Sequence, residues 1–219
     1  MNGHWMTWVK NVEGKLAAIA VSGPFGAVKE QASGLYAQTM AQSVRKEKKG
    51  TRIITELRFP ENEKVDKRVY PERIQVNCFT TKNGKRSEVA LTIYGKPAVR
   101  LPESYWLSFT VPGIELVIAE KMGERVNLMD VVEKGNRQMH GIDRYVDLIT
   151  SGETIRISSK EAFLLNVGEA QGLNYSTNYP DKRKGVHFNL NNNLWGTNFS
   201  MWNEGSLTYH FVIETLSRK

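Results

Sequence analysis

Apolar and polar residues alternate in short runs along most of this chain, the period expected of half-buried strands. The clearest instance is RIQVNCFTTKNGKRSEVALTIY, residues 73–94, where Asn83-Gly84 separates two alternating runs. A two-residue type I′ turn at Asn-Gly fixes the register. Ile74 then faces Ile93, Val76 faces Leu91, and Cys78 faces Val89. All six lie on one face, and Gln75, Asn77, Thr81, Arg86, Glu88 and Thr92 lie on the other. A slip of one residue would scramble both faces, so turn chemistry and hydrophobic pattern agree independently. Residues 5–22 predict a second hairpin around Glu13-Gly14, with Trp8 opposite Ile19 and Met6 opposite Val21. Further short strands are predicted at 52–59, 105–111, 114–122, 154–158, 162–167, 186–190 and 206–215. In the last, Leu207, Tyr209, Phe211 and Ile213 alternate with Thr208, His210 and Glu214.

One segment breaks the two-residue period. Over 27–44 the residues Val28, Leu35, Tyr36, Met40 and Val44 fit a helical stripe, and RKEKKG at 45–50 supplies basic residues and a glycine to stop it. Residues 59–72 hold too few apolar positions for a core element and read as a loop. Many short strands with Gly/Pro turns predict an all-β chain, a large antiparallel β-sandwich with one or two short helices. No repeat or linker divides it, so residues 1–219 are expected to form a single domain.

Composition narrows the function classes. Forty per cent hydrophobic residues are enough for a sizeable core, and the lone Cys78 excludes an internal disulfide and reads as a small buried hydrophobe. No apolar run reaches the roughly 18 residues needed to cross a bilayer. The first 20 residues carry His4, Lys10, Glu13 and Lys15 and do not make a signal peptide. Export would require a leader upstream, and the compartment stays open. Net charge is +7, concentrated at 45–50 and 181–185. Solvated turns or a polyanion-binding face are the two readings of these runs; no nucleic-acid motif accompanies them, so nucleic acid is disfavoured as a partner.

Two stretches are dense in side-chain chemistry. GVHFNLNNNLWGTNFSMWNEG, 185–205, holds six asparagines and two tryptophans. In a strand Val186, Phe188 and Leu190 point one way while His187, Asn189 and Asn191 form a row on the other face, about 7 Å apart. Asn193, Trp195, Asn198 and Trp202 follow on what Gly196 marks as an irregular loop. An amide carries donors and acceptors on one plane, which suits sugar hydroxyls, and an indole offers a flat apolar face to a pyranose. The alternative is that these asparagines cap turns and bond the backbone. KGNRQMHGIDRYVD, 134–147, gathers Arg137, His140, Asp143 and Arg144. An Arg–Asp pair ordering a loop and a ligand-facing Arg/His cluster, suited to an acidic sugar, are both open.

Other chemistries find little support. His4, His140, His187 and His210 are scattered for a zinc site, no G-x-S-x-G elbow is present, and SGPFGAV lacks the glycine spacing of a nucleotide loop. For paired-carboxylate hydrolysis Asp143, Glu169 and Glu204 are nominees whose separation a sequence does not measure.

LPESYWLSF (101–109), KGNRQMHGIDR (134–144), GPFGA (23–27) and above all GVHFNLNNNLWGTNFSMW (185–202) resemble the C-terminal part of a bacterial family related to glycoside hydrolase family 38, the α-mannosidase-like enzymes. The resemblance runs in the same order from residue 22 to the end. It implies a β-sandwich of the galactose-mutarotase-like supersandwich kind, set after an α/β catalytic domain and a helical bundle. In mannosidases the catalytic aspartate and the zinc ligands belong to those earlier parts. The chain is therefore expected to be a carbohydrate-contacting C-terminal piece, inactive alone, with residues 1–22 the trailing edge of a preceding region. No cofactor is expected in this chain; a zinc ion would belong to the missing catalytic domain. Expected partners are a carbohydrate ligand and an N-terminal catalytic domain or partner chain, with no membrane. His187, Asn189, Asn191, Asn193, Trp195, Asn198 and Trp202 are the expected sugar-facing residues, with Arg137 and His140 second. A stand-alone glycan-active enzyme and a structural module docking a partner domain remain the alternatives.

Overall fold

Alternation carries through into structure. A computed structural model describes residues 4–9, 40–57, 70–100, 103–172, 175–194 and 201–217. They form fourteen strands: β1 His4–Val9, β2 Met40–Glu47, β3 Gly50–Leu57, β4 Arg73–Thr81, β5 Arg86–Lys96, β6 Ser104–Thr110, β7 Leu116–Lys121, β8 Glu124–Asn127, β9 Met139–Gly141, β10 Tyr145–Ile149, β11 Glu153–Ser159, β12 Leu164–Val167, β13 Val186–Asn192 and β14 Gly205–Ser217. One sheet has nine strands in the order β2-β3-β4-β5-β14-β11-β10-β7-β8, antiparallel throughout. The other has five, in the order β1-β6-β13-β12-β9, antiparallel except that β1 runs parallel to β6. The chain is all-β, an antiparallel two-sheet sandwich.

The core lies between the sheets. Leu91, Ile93, Val117, Val146, Ile155 and Phe211 of the larger sheet meet Leu107, Phe109, Leu165, Val167 and Phe188 of the smaller one in a single cluster. Phe109, Phe188 and Phe211 clasp the two layers, with ring centroids 5.1–5.7 Å apart and steep tilts, an arrangement that the aromatic quadrupole favours. Cys78 is buried and free, and burial pushes its thiol up to about 11.

The 73–94 hairpin has the expected register: Ile74 opposes Ile93, Val76 opposes Leu91, and Cys78 opposes Val89. Its turn differs. Gly84 has φ +68 and donates its N–H to Thr81 O at 2.9 Å, but Met122 and Lys134 are the only described non-glycine residues with positive φ. Asn83 therefore does not take the left-handed conformation that a type I′ turn needs. Instead its Oδ1 accepts from Thr81 Oγ1 and from Lys85 N, knitting a four-residue connection that keeps the same register.

The helix expected over 27–44 is overturned where it can be compared. Residues 40–47 form edge strand β2, paired with β3 from Met40↔Leu57 to Glu47↔Gly50, and Lys48-Lys49 is the turn between them. A weak helical stripe gives way to tertiary pairing. Gly50 is needed at that turn because a Cβ there would stand 2.1 Å from Thr80 O. Among the described residues no α-helix occurs, and one 3-10 turn spans Lys182–Lys184. The Glu13-Gly14 turn and its return strand lie outside the described residues; within them β1 pairs with β6. No helix among the described residues is long and apolar enough to cross a membrane.

Candidate functional site

Strand β13 carries the first set of expected site residues, and a bulge decides where they point. Asn189 opposes Trp106, yet Asn191 opposes Tyr105, so the register shifts at Leu190. Directly opposed residues share a face, so Asn191 turns to the side of Tyr105 and the expected His187–Asn189–Asn191 row is broken. Tyr209 fixes the bulge by donating its hydroxyl to Leu190 O at 2.6 Å. Asn192 takes the vacated place and donates to Asn189 Oδ1 at 2.8 Å.

Most of the described amides bond within the chain, although Asn189 Nδ2 is buried with no hydrogen-bond partner among the described residues. Asn193 Oδ1 accepts from Glu103 N at 2.6 Å, and its Nδ2 donates to Val99 O at 2.9 Å. Asn191 bonds the Asn203 side chain at 3.2 Å. His187 and Asn189 are buried, and His187 Nδ1 lies 2.7 Å from Ser108 Oγ. Burial pushes the His187 ring down to about 4. Trp202 is half-buried with the Arg100 guanidinium 4.7 Å over its ring. Trp195 and Asn198 lie outside the described residues. Beneath this region sits a buried ion pair, Lys96 Nζ to Glu103 Oε1 at 2.5 Å, with Lys96 also donating to Pro97 O and Asn203 O. Burial pushes the Glu103 carboxyl up, against the pull of Lys96.

The 134–147 stretch divides likewise. Arg137 donates to Met129 O at 2.6 Å and Val131 O at 3.2 Å, and stacks on Tyr179 with 4.5 Å to the ring centroid. His140 is buried, its Nε2 3.0 Å from Arg137 O, and burial pushes it down to about 4. Both residues organise the loop between β8 and β10. Arg144 pairs with Glu120 rather than Asp143, which instead accepts from Gly123 N at 3.2 Å. No helix joins His140 to Arg144, because β9 and β10 occupy this span.

A site that the sequence reading did not assemble lies on the outer face of the nine-stranded sheet. A groove of about 860 Å³ crosses β10, β11 and β14, lined among others by Arg144, Tyr145, Arg156, Ser158, Lys160 and His210. Registers show how it is built. Glu214 opposes both Arg86 and Arg156, and Arg156 opposes Asp147. This row alternates in sign across four strands: Arg86 Nη1 reaches Glu214 at 2.6 Å, and Arg156 grips buried Asp147 through Nε at 2.7 Å and Nη2 at 2.8 Å. Arg125 adds a third bond to Asp147 at 3.1 Å. Two residues along each strand, about 7 Å away, Val212, Ser158 and Tyr145 form the floor. Arg156 stacks against Tyr145, 3.8 Å from its centroid. His210, Glu161, Lys160 and Arg144 close the far side. Burial raises the Glu161 carboxyl, but the His210 N–H and ring beside it outweigh this and hold it below the usual range.

His210 and Glu214 stood out in the sequence as the outward positions of an alternating strand. Nothing local joined them to Arg156 and Ser158, since β11 and β14 are far apart in the chain. Among the described residues no group of three His, Cys, Asp or Glu side chains could hold a metal ion.

No family model matches the chain. A stretch of 28 residues, 13% of the chain, is 75% identical to part of an uncharacterized protein of Pseudomonas aeruginosa. The stretch spans 8% of that protein's length, so it is a local likeness.

Proposed function

We propose that the chain is a carbohydrate-binding β-sandwich module whose ligand lies in the groove over β10, β11 and β14. One observation carries this reading: the groove joins a small apolar floor to rigid, two-sided hydrogen-bonding chemistry. Val212 and Tyr145 offer surface to the C–H side of a ring, while Ser158, His210, Glu161 and the arginines offer donors and acceptors to its hydroxyls. The arginines are locked by carboxylates beneath them, so little side-chain freedom is lost on binding. Glu214 sits against the Arg86 guanidinium, and Glu161 against the His210 N–H and ring, which orients both carboxylates to accept hydrogen bonds from hydroxyls. The likeness of residues 185–202 to α-mannosidase-like proteins supports the same ligand class, and within such a protein this module would serve a catalytic domain carried elsewhere. In this reading the described asparagines of 185–205 hold the small sheet and its loops together.

The test is calorimetric titration of the intact chain with a panel of neutral and acidic oligosaccharides, alongside Val212→Lys. That side chain sits mid-floor on the outer face, so lysine would obstruct the groove while leaving the core intact. Binding by the wild type and its loss in a folded Val212→Lys chain are expected. A wild type that binds no glycan overturns the carbohydrate reading, and an unaffected variant overturns the groove as its seat.

A further inference from the structure

The charges of the groove are not all matched from within. Arg144 gives its Nε and Nη2 to Glu120, and Arg156 gives its Nε and Nη2 to Asp147, so each retains an Nη1 with no bond among the described residues. Glu214 is held by Arg86, and Glu161 by His210. Lys160, exposed at the end of β11, has no carboxylate partner among the described residues. The hydroxyls of Ser158 and Tyr145 likewise make no hydrogen bond among them. What the groove presents is thus donor-rich, with one ammonium that no carboxylate engages among the described residues: that ammonium, the Nη1 groups of two guanidiniums and two hydroxyls around a floor of one valine and one aromatic ring.

A neutral sugar would leave that ammonium unanswered. A carboxylate on the sugar ring would answer it, with one oxygen on the ammonium and the other on the Nη1 that Arg144 retains. We infer that the groove selects acidic sugars, with the ring carboxylate of a uronate residue between Lys160 and Arg144 and the ring itself on Val212 and Ser158. This inference rests on the carbohydrate reading and names its substrate class. Selectivity follows because a carboxyl-reduced sugar presents one neutral hydroxyl where two charged acceptors stood.

The experiment uses oligomers of galacturonate and of mannuronate–guluronate, each paired with its carboxyl-reduced counterpart, so that ring stereochemistry is held while charge is removed. The intact chain, Lys160→Met and Lys160→Arg are titrated with each. The acidic member of at least one pair is expected to bind about tenfold more tightly or better. Lys160→Met should erase that difference without weakening the reduced sugar, and Lys160→Arg should keep it. Lys160 is exposed and outside the core, so its variants are expected to fold, which circular dichroism checks. Equal binding of acidic and reduced forms overturns the acidic preference and leaves the carbohydrate reading standing; binding of neither overturns both. Full retention of the preference in Lys160→Met overturns the placement of the carboxylate. Competition by inorganic phosphate as effective as that of the uronate oligomers would reveal a general anion site and overturn the sugar assignment.

Discussion

His140 and His187 sit in the interior as neutral rings, both pushed down to about 4 by burial. In the unfolded chain each would titrate near the ordinary histidine value, about 6.5. Between those limits the unfolded state binds protons that the folded state refuses, so stability is complete above pH 6.5 and falls as pH drops toward 4. By pH 5 the loss should be about 2 kcal/mol for each ring. Urea unfolding at pH 7.5 and pH 5 measures it; His187→Gln should abolish about half of this histidine contribution, and an unchanged pH dependence in that variant would exclude the ring as its source. The Lys96–Glu103 pair is a second residue-scale test. Lys96→Met leaves a carboxylate buried without its cation and should cost about 3–5 kcal/mol, whereas Lys96→Met with Glu103→Leu should recover most of that loss. Equal destabilisation in the single and double variants would show that packing of the lysine stem, and not charge, accounts for the loss.

At the scale of elements, what the sequence revealed depended on how far apart the partners were. The 73–94 hairpin was legible because both strands and their turn lie in one continuous stretch, and its hydrophobic faces fix the register even though the turn is wider than Asn-Gly suggested. No strand is predicted at β10, whose first residues fall in the charged stretch 134–147; Asp147 interrupts its apolar run, yet Val146 and Leu148 face the core on either side of it. The first residues of β2, 40–44, fit a helical stripe as well as a strand, and only their pairing with β3 decides the matter. The asparagine row failed for a subtler reason. Period-two arithmetic assumes an unbroken strand, and a one-residue bulge at Leu190 exchanges the two faces beyond it. The triplet Asn191-Asn192-Asn193 in place of strict alternation was the available signal. The groove could not be read locally, because it depends on β11 and β14 lying side by side with Arg156 opposite Glu214.

Across the whole molecule the two sheets have different roles. The five-stranded sheet has both faces buried near β6 and β13, where Trp106, Ser108, Asn166 and His187 are as enclosed as the core residues behind them. The nine-stranded sheet keeps its outer face accessible and lines it with paired charges, and it is on this side that a ligand can reach ordered side chains. Of the two basic runs, the one at 181–185 is engaged internally: Arg183 holds Asp181, Lys184 holds Glu169, and Lys182 donates to Glu115 O.

The other run lies at the end of β2 and in its turn to β3, and among the described residues β2 has a strand on one side only. Arg45, Lys46, Lys48 and Lys49 are all exposed there. An open edge is a template on which another copy could grow, and a row of like charges makes that approach repulsive. The opposite end is blunted by brevity, since β8 has four residues. Charge of this kind at an open edge is expected to oppose pairing with another copy. Replacing those four cations with threonine should leave the unfolding midpoint nearly unchanged while light scattering rises with concentration; a variant that stays monodisperse would mean that crowding at this margin is prevented by something other than charge.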